Sequence, residues 1–383
     1  MQKLFFSVIG LTLVLSACNG TLQKSGAVVA TDAHPAAHKK STPIVTKPEI
    51  EDAKITLAAV GDIMLGGSAE PYLKERGYDW AFDKTRDILQ QADIAIGNLE
   101  TPLTNKDIEY VPKTFRFKNA PDKTASALKN AGFDLVTLAN NHSLDQGVEG
   151  LRDTFDVLQK YGIAYHGAGL NLDAARQPVI VERNNIKIGF LAYSNTHPEE
   201  YWATARRGGT AFGAEQYIRE DVSTLAQRVD VVVVSFHWGQ EKSLVLRDYQ
   251  KELAHAAVDA GAKIILGHHP HVLQGVECYK NAIVFYSLGN FAFGSFSPSA
   301  KNSAIAVIDI NKHGFVVAKL QPINIDNFEI YFQPTLLNGI AAQNVTQQVR
   351  QLANELNTKS TIVNNDLVFD VMNCRQTGSR PSL

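Results

Sequence analysis

Five apolar runs each end, without a spacer, in a polar cluster, and that repeated junction limits what this chain can build. The segments are AAVGDIMLGG, IAIGNLETP, VTLANNHSLDQG, VVVSFHWGQEKS and IILGHHPHVLQGVE. Packing alone has little use for charged and imidazole groups placed repeatedly at the ends of buried strands. In open α/β sheets the carboxyl ends of the strands converge on one edge, so residues distant in sequence meet there. The side chains delivered in this way are Asp62, Glu100, Asn141, His142, His237, His268, His269 and His271. Carboxylate, amide oxygen and imidazole nitrogen, with thiolate absent, describe a site for a divalent transition ion such as Mn²⁺, Fe²⁺ or Zn²⁺. One or two ions are expected.

Between the junctions the hydrophobic period alternates between strand and helix. Strands are expected at Ile55–Val60, Ile94–Ile96, Leu135–Ala139, Ile186–Tyr193, Val231–Phe236 and Lys263–Leu266. Helices are expected at Asp83–Gln91, Pro121–Ala131, Val148–Tyr161, Ala214–Arg228 and Leu246–Ala260. Ala282–Ser287, Ser303–Ile310 and Phe315–Pro322 add strands with few helices between them, which suggests antiparallel pairing in the second part. An α/β (α+β) chain with two mixed sheets covered by helices accommodates this order. With 45% hydrophobic residues the chain has the material for such a core. Its 37 basic and 39 acidic side chains give a net charge of −2, which leaves no cationic excess to gather nucleic acid.

The ends read differently. Lys3 precedes an apolar stretch from Leu4 to Leu15, and Leu15-Ser16-Ala17-Cys18 is similar to a bacterial lipobox. That reading makes residues 1–17 a signal peptide and Cys18 the acylated N-terminus of an extracytoplasmic, membrane-anchored lipoprotein. An ordinary secretory signal is the alternative. Residues 18–53 lack apolar period and read as a disordered tether, in which His34 and His38 have no partner ligands nearby. Cys278 and Cys374 remain, either a disulfide or two separate thiols. Residues 54–326 form the expected domain, and 327–383 a weakly patterned C-terminal extension in which Val345–Leu356 has helical spacing.

Taken in order, the five clusters resemble those of the CapA/PgsA family of capsule and poly-γ-glutamate biosynthesis proteins, a branch of the calcineurin-like metallophosphoesterases. The resemblance spans roughly Lys54 to Asp326. It implies a four-layer αββα sandwich, a metal site at the strand ends, and a role in producing, exporting or anchoring an anionic surface polymer, or in acting on its phosphorylated precursor. Membrane synthase subunits are the implied partners. By the same resemblance Asp62, Glu100, Asn141, His237, His269 and His271 are metal ligands, with His268 an alternative in the triple-histidine run. Asp62 is the carboxylate best placed to bridge two ions, and His142, with Asp62, belongs to the catalytic set. Asp145 and Glu241 follow His142 and His237 closely enough to orient those imidazoles, the alternative for each being a solvated surface group or a loop cap. Asn290 matches the family or marks a turn.

One departure tempers the expected chemistry. Metallophosphoesterases ordinarily begin Asp-x-His, but Asp62 is followed by Ile63 and Met64, and Glu100 is displaced from the usual Gly-Asp. A thioether is a poor substitute for imidazole on such an ion. A non-catalytic assembly scaffold and a general metal-dependent phosphoesterase are therefore the competing readings.

Overall fold

The computed structural model describes residues 53–370 and Cys374. Cys18, the signal-like segment, His34, His38 and the last nine residues lie outside them.

Two mixed sheets face each other. The first has ten strands, and its central order is Thr361–Val363, Asp366–Asp370, Gly314–Asn324, Asn302–Asn311, Ile55–Met64, Ile94–Leu99, Leu135–Thr137 and Ala164–His166. The last four run parallel, so their carboxyl ends share one edge. The second has six strands in the order Val276–Tyr279, Ala282–Phe285, Ile264–His268, Val231–His237, Ile186–Ser194 and Val179–Arg183. Its four central strands are also parallel.

Side-chain alternation assigns the layers. Leu57, Ile94, Ile96 and Leu135 from the first sheet join Ile188, Phe190, Val233, Ile264 and Phe285 from the second in one buried cluster between the sheets. The opposite face of the first sheet meets the helices Pro121–Ala131 and Gly147–Lys160 through Val60, Ala95, Val136, Leu128 and Leu151. The opposite face of the second meets Glu215–Ala226 and Asp248–Asp259 through Val232, Val234, Ile218, Val222 and Ala257. The order is helix, sheet, sheet, helix, which is the four-layer αββα sandwich. Burying each such aliphatic side chain stabilises by about 1.5–3 kcal/mol, enough in sum to fix strand register.

The C-terminal residues are part of this body rather than an appendage. Asp366–Asp370 pairs with Gly314–Asn324, and the helix Gly339–Glu355 sets Val345 and Val349 against the inter-sheet cluster. Leu367 and Phe369 are both fully buried. A disulfide joins Cys278 to Cys374 and ties this region to the second sheet, with Cα atoms 4.9 Å apart.

Two local features aim the first strand. Its register slips on both sides of Asp62, against Ile94–Leu99 and against the short parallel strand Asn290–Phe293. Such irregularities redirect a side chain. Gly61 lies within this strand at a place only glycine fits, because a Cβ there would stand 1.9 Å from the Gly289 carbonyl oxygen. That close approach lets the Asp62 amide donate to Gly289 O at 3.0 Å.

Candidate metal centre

At the shared edge the strands release their polar residues toward one another. Asp62 leaves the first strand, and Glu100 follows Ile94–Leu99 with its amide donating to Ile63 O at 2.9 Å. His237 and His268 end adjacent parallel strands in register with each other. The chain then turns through His269 and His271, both at positive φ (93° and 59°), and so points imidazoles inward from a tight loop. Non-glycine residues in that region are uncommon and cluster at functional sites.

The resulting contacts are close. Asp62 is fully buried, with Oδ1 3.3 Å from His268 Nδ1 and Oδ2 3.0 Å from His271 Nδ1. Glu100, also fully buried, has Oε1 3.5 Å from His237 Nε2 and 3.9 Å from His271 Nε2. His237 Nε2 lies 2.8 Å from Asn141 Oδ1. Two overlapping sets of donors fall within 4.8 Å: Asp62, Glu100 and His237, and Glu100, His269 and His271. Glu100, rather than Asp62, is thus the carboxylate common to both. The second set also selects His269, while His268 meets Asp62 from the end of its strand.

The electrostatics are those of a site short of positive charge. Burial, with the neighbouring Asp62 carboxylate, pushes the Glu100 carboxyl well above its usual value. Burial opposes the charge of Asp62 too, but the imidazoles of His268 and His271 hold its carboxyl well below the usual range. His271 is pushed down by burial, yet Glu100 and Asp62 outweigh this and raise it to about 9. Burial lowers His237 well below its ordinary value and His269 to about 3, which keeps both neutral, the state a metal needs. Glu100 Oε1 and His269 Nδ1 are buried without any hydrogen-bond partner. An unpaired buried carboxylate oxygen costs several kcal/mol, so the atoms present fit a divalent cation that would occupy their unused lone pairs.

Several polar residues support these groups. Asn140 Nδ2 donates to Asn98 Oδ1 at 3.0 Å and to Leu99 O at 2.8 Å, and this fixes Asn98 so that its Nδ2 donates to Asp62 Oδ1 at 2.8 Å. Asn98 Nδ2 also stands 3.3 Å from His237 Nδ1. Asn290 Oδ1 is 2.8 Å from His271 Nδ1, and Asn290 sits directly opposite Asp62. Met64 is buried in the same strand. Asp145 Oδ2 engages His142 Nδ1 at 2.6 Å, leaving Nε2 of His142 free to exchange a proton. Burial pushes the imidazole of His142 down and is opposed by Asp145.

Glu241 does not orient His237. The chain turns through Gly239 and Lys242 at positive φ (88° and 60°), and Glu241 ends exposed. The polar neighbour of His237 Nδ1 is Asn98 instead. Trp238 and Tyr201 are buried, and the Tyr201 hydroxyl donates to Asp145 Oδ1 at 2.9 Å. Sequence reading missed Asn98, Asn140, Lys113 and Tyr201. Of these only Asn98 and Asn140 carried a signal, their place at strand ends beside expected ligands.

Comparison with known proteins places this geometry in context. Residues 56–295 match the family described as bacterial capsule synthesis protein PGA_cap. The chain is similar to the capsule biosynthesis protein CapA of Bacillus anthracis, at 34% identity over 281 residues that cover 72% of this chain and 68% of the relative. It is 30% identical to the PGA biosynthesis protein CapA of Bacillus subtilis (strain 168) over 337 residues, covering 88% and 87%. Among solved structures it is similar to a hypothetical protein from Thermus thermophilus, with TM-score 0.46 and 16% identity over 70% of this chain and 99% of that one. A 5'-nucleotidase precursor from the same organism gives TM-score 0.40 and 15% identity over 74% and 55%.

Proposed function

The chain belongs to the bacterial capsule synthesis protein family, and from that premise we propose that it serves an anionic capsular polymer such as poly-γ-glutamate through a metal-dependent, hydrolase-type site. The observation that carries the catalytic part is the buried, unpartnered Glu100 Oε1 standing between His237 and His271. Asp62, Glu100, Asn141, His237, His269 and His271 would hold one or two divalent ions, Mn²⁺, Fe²⁺ or Zn²⁺. Such an ion supplies Lewis acidity and a water of lowered pKa.

The chain's own groups do the rest. Asp145 holds Nδ1 of His142, so Nε2 is the nitrogen that passes a proton to or from a substrate oxygen. Asn98 and Asn290 fix Asp62 and His271 through hydrogen bonds that need no rearrangement. In this reading Cys18 is acylated, the domain works outside the cytoplasm at the membrane surface, and its partners are the polymer or its phosphorylated precursor together with membrane synthase subunits.

Replacing the chromosomal copy by Glu100→Ala and by Cys18→Ala, each followed by quantitation of surface polymer, tests both halves. Loss of polymer in both variants is expected. Met64 in place of an imidazole favours one second reading, a scaffold that assembles the export machinery without chemistry. Normal polymer in Glu100→Ala with loss in Cys18→Ala would establish that reading and remove the first.

A further inference from the structure

The segment from Leu103 to Asn119 contains no helix and only a bridge closing its two ends, yet it sends one cation into the centre. The Lys113 side chain is 16% exposed. Its Nζ donates to the Asn141 carbonyl at 2.5 Å and to Asp145 Oδ1 at 2.8 Å, and stands 3.2 Å from His142 Nδ1. The same ammonium lies 5.1 Å from the centre of the Tyr201 ring, whose hydroxyl donates to the same Asp145 Oδ1 at 2.9 Å. Phe117, four residues on, donates its amide to Asp145 Oδ2 at 2.7 Å and lays its ring 4.5 Å from that of His142.

These contacts converge on one short turn with two tasks. Asn141 must aim Oδ1 toward His237 and an ion, while His142 must aim away toward substrate. The peptide plane between them decides both directions, and Lys113 grips its carbonyl oxygen. A compact ammonium suits this position because it donates in several directions at once, where a planar guanidinium would not. A buried Asp145 would also lose a counter-charge without it.

We propose that Lys113 is a positioning residue of the metal centre, pinning the Asn141–His142 peptide and Asp145 so that Asn141 Oδ1 stays available to a divalent ion. The inference rests on the metal reading above and concerns how tightly the ion is held.

Mn²⁺ titration by calorimetry of the full chain, paired with thermal unfolding of the metal-free protein, tests it. Lys113→Met is expected to weaken Mn²⁺ binding roughly tenfold, the usual scale for partners that orient ligands. Lys113→Arg should recover part of the loss, since it keeps charge but not the convergent geometry. Tyr201→Phe, which removes one hydroxyl from Asp145, should weaken binding by a smaller factor. If Lys113→Met does not fold, the other two variants decide. Wild-type affinity in the folded variants overturns the positioning role and leaves the metal reading intact, whereas a wild-type protein that binds no Mn²⁺ overturns both.

Discussion

The candidate metal centre and the cluster around Glu277 use the same residue types to opposite ends. Glu277 accepts from the Tyr286 hydroxyl at 2.6 Å and meets His255 Nε2 at 2.9 and 3.1 Å, while the His255 ring stacks on Tyr279 at 3.8 Å. Both of its oxygens are engaged. Glu100 has Oε1 unpartnered, although two imidazoles stand within 4 Å, and it is the more deeply buried carboxylate. A glutamate and a histidine together therefore say little. What separates a functional cluster from a structural one is bonding capacity left unused at a cost in stability.

The largest expected difference between the regions is in cation affinity. Glu100→Ala should weaken divalent-ion binding by on the order of 100-fold or more, because it removes the carboxylate common to both candidate sets. Glu277→Ala should leave the calorimetric isotherm unchanged. Equal losses in both would erase the distinction.

Next in size is a pH effect confined to the metal-free centre. His271 is raised from 6.5 to about 9, so the stability it contributes is fully present below pH 6.5 and is lost as pH rises through about 9. The raised Glu100 acts in the same direction, since the folded state holds its proton more tightly than the unfolded chain. The loss is on the order of 3 kcal/mol across that window. Chemical denaturation from pH 6.5 to 9.5 should show it in metal-free protein, and saturating metal should abolish it by displacing the proton. A flat profile without metal would contradict the assigned charges.

Smaller effects follow from satisfaction itself. Glu277→Ala strands the Tyr286 hydroxyl and should cost about 1–3 kcal/mol in denaturant unfolding. Glu100→Gln in the metal-free protein should be neutral or stabilising towards high pH, because there it removes the cost of ionising a buried carboxyl. Tyr286→Phe should cost about 1 kcal/mol. A Glu100→Gln protein less stable than wild type without metal would mean that its carboxylate is already satisfied.

Much of the sandwich was legible because its strands are short, β-branched and abruptly ended. Pro121–Ala131 was readable to the residue, since Pro121 can only open a helix and Gly132, at φ 104°, closes it. The convergence of these side chains was legible for the same reason: each follows a strand whose carboxyl end must lie at the common edge. Spacing along the chain did not reveal that Glu100 rather than Asp62 is shared, because that depends on the irregular register around Asp62. Lys113 was invisible, being one lysine in a loop without period. Thr361–Val363 and Asp366–Asp370 were missed because both are short and interrupted by polar residues, and pairing across the sheet gives them their structure. Glu241 misled because nearness in sequence to His237 does not survive the turn at Gly239.

Anomalous scattering from crystals grown with Mn²⁺ reaches the central claim most directly. The account predicts a peak bonded to Glu100 Oε1 and shared with His237, His271 or both. Crystals soaked at saturating Mn²⁺ that show the Glu100 carboxylate bonded to nothing but protein, with no peak beside it, would contradict the account.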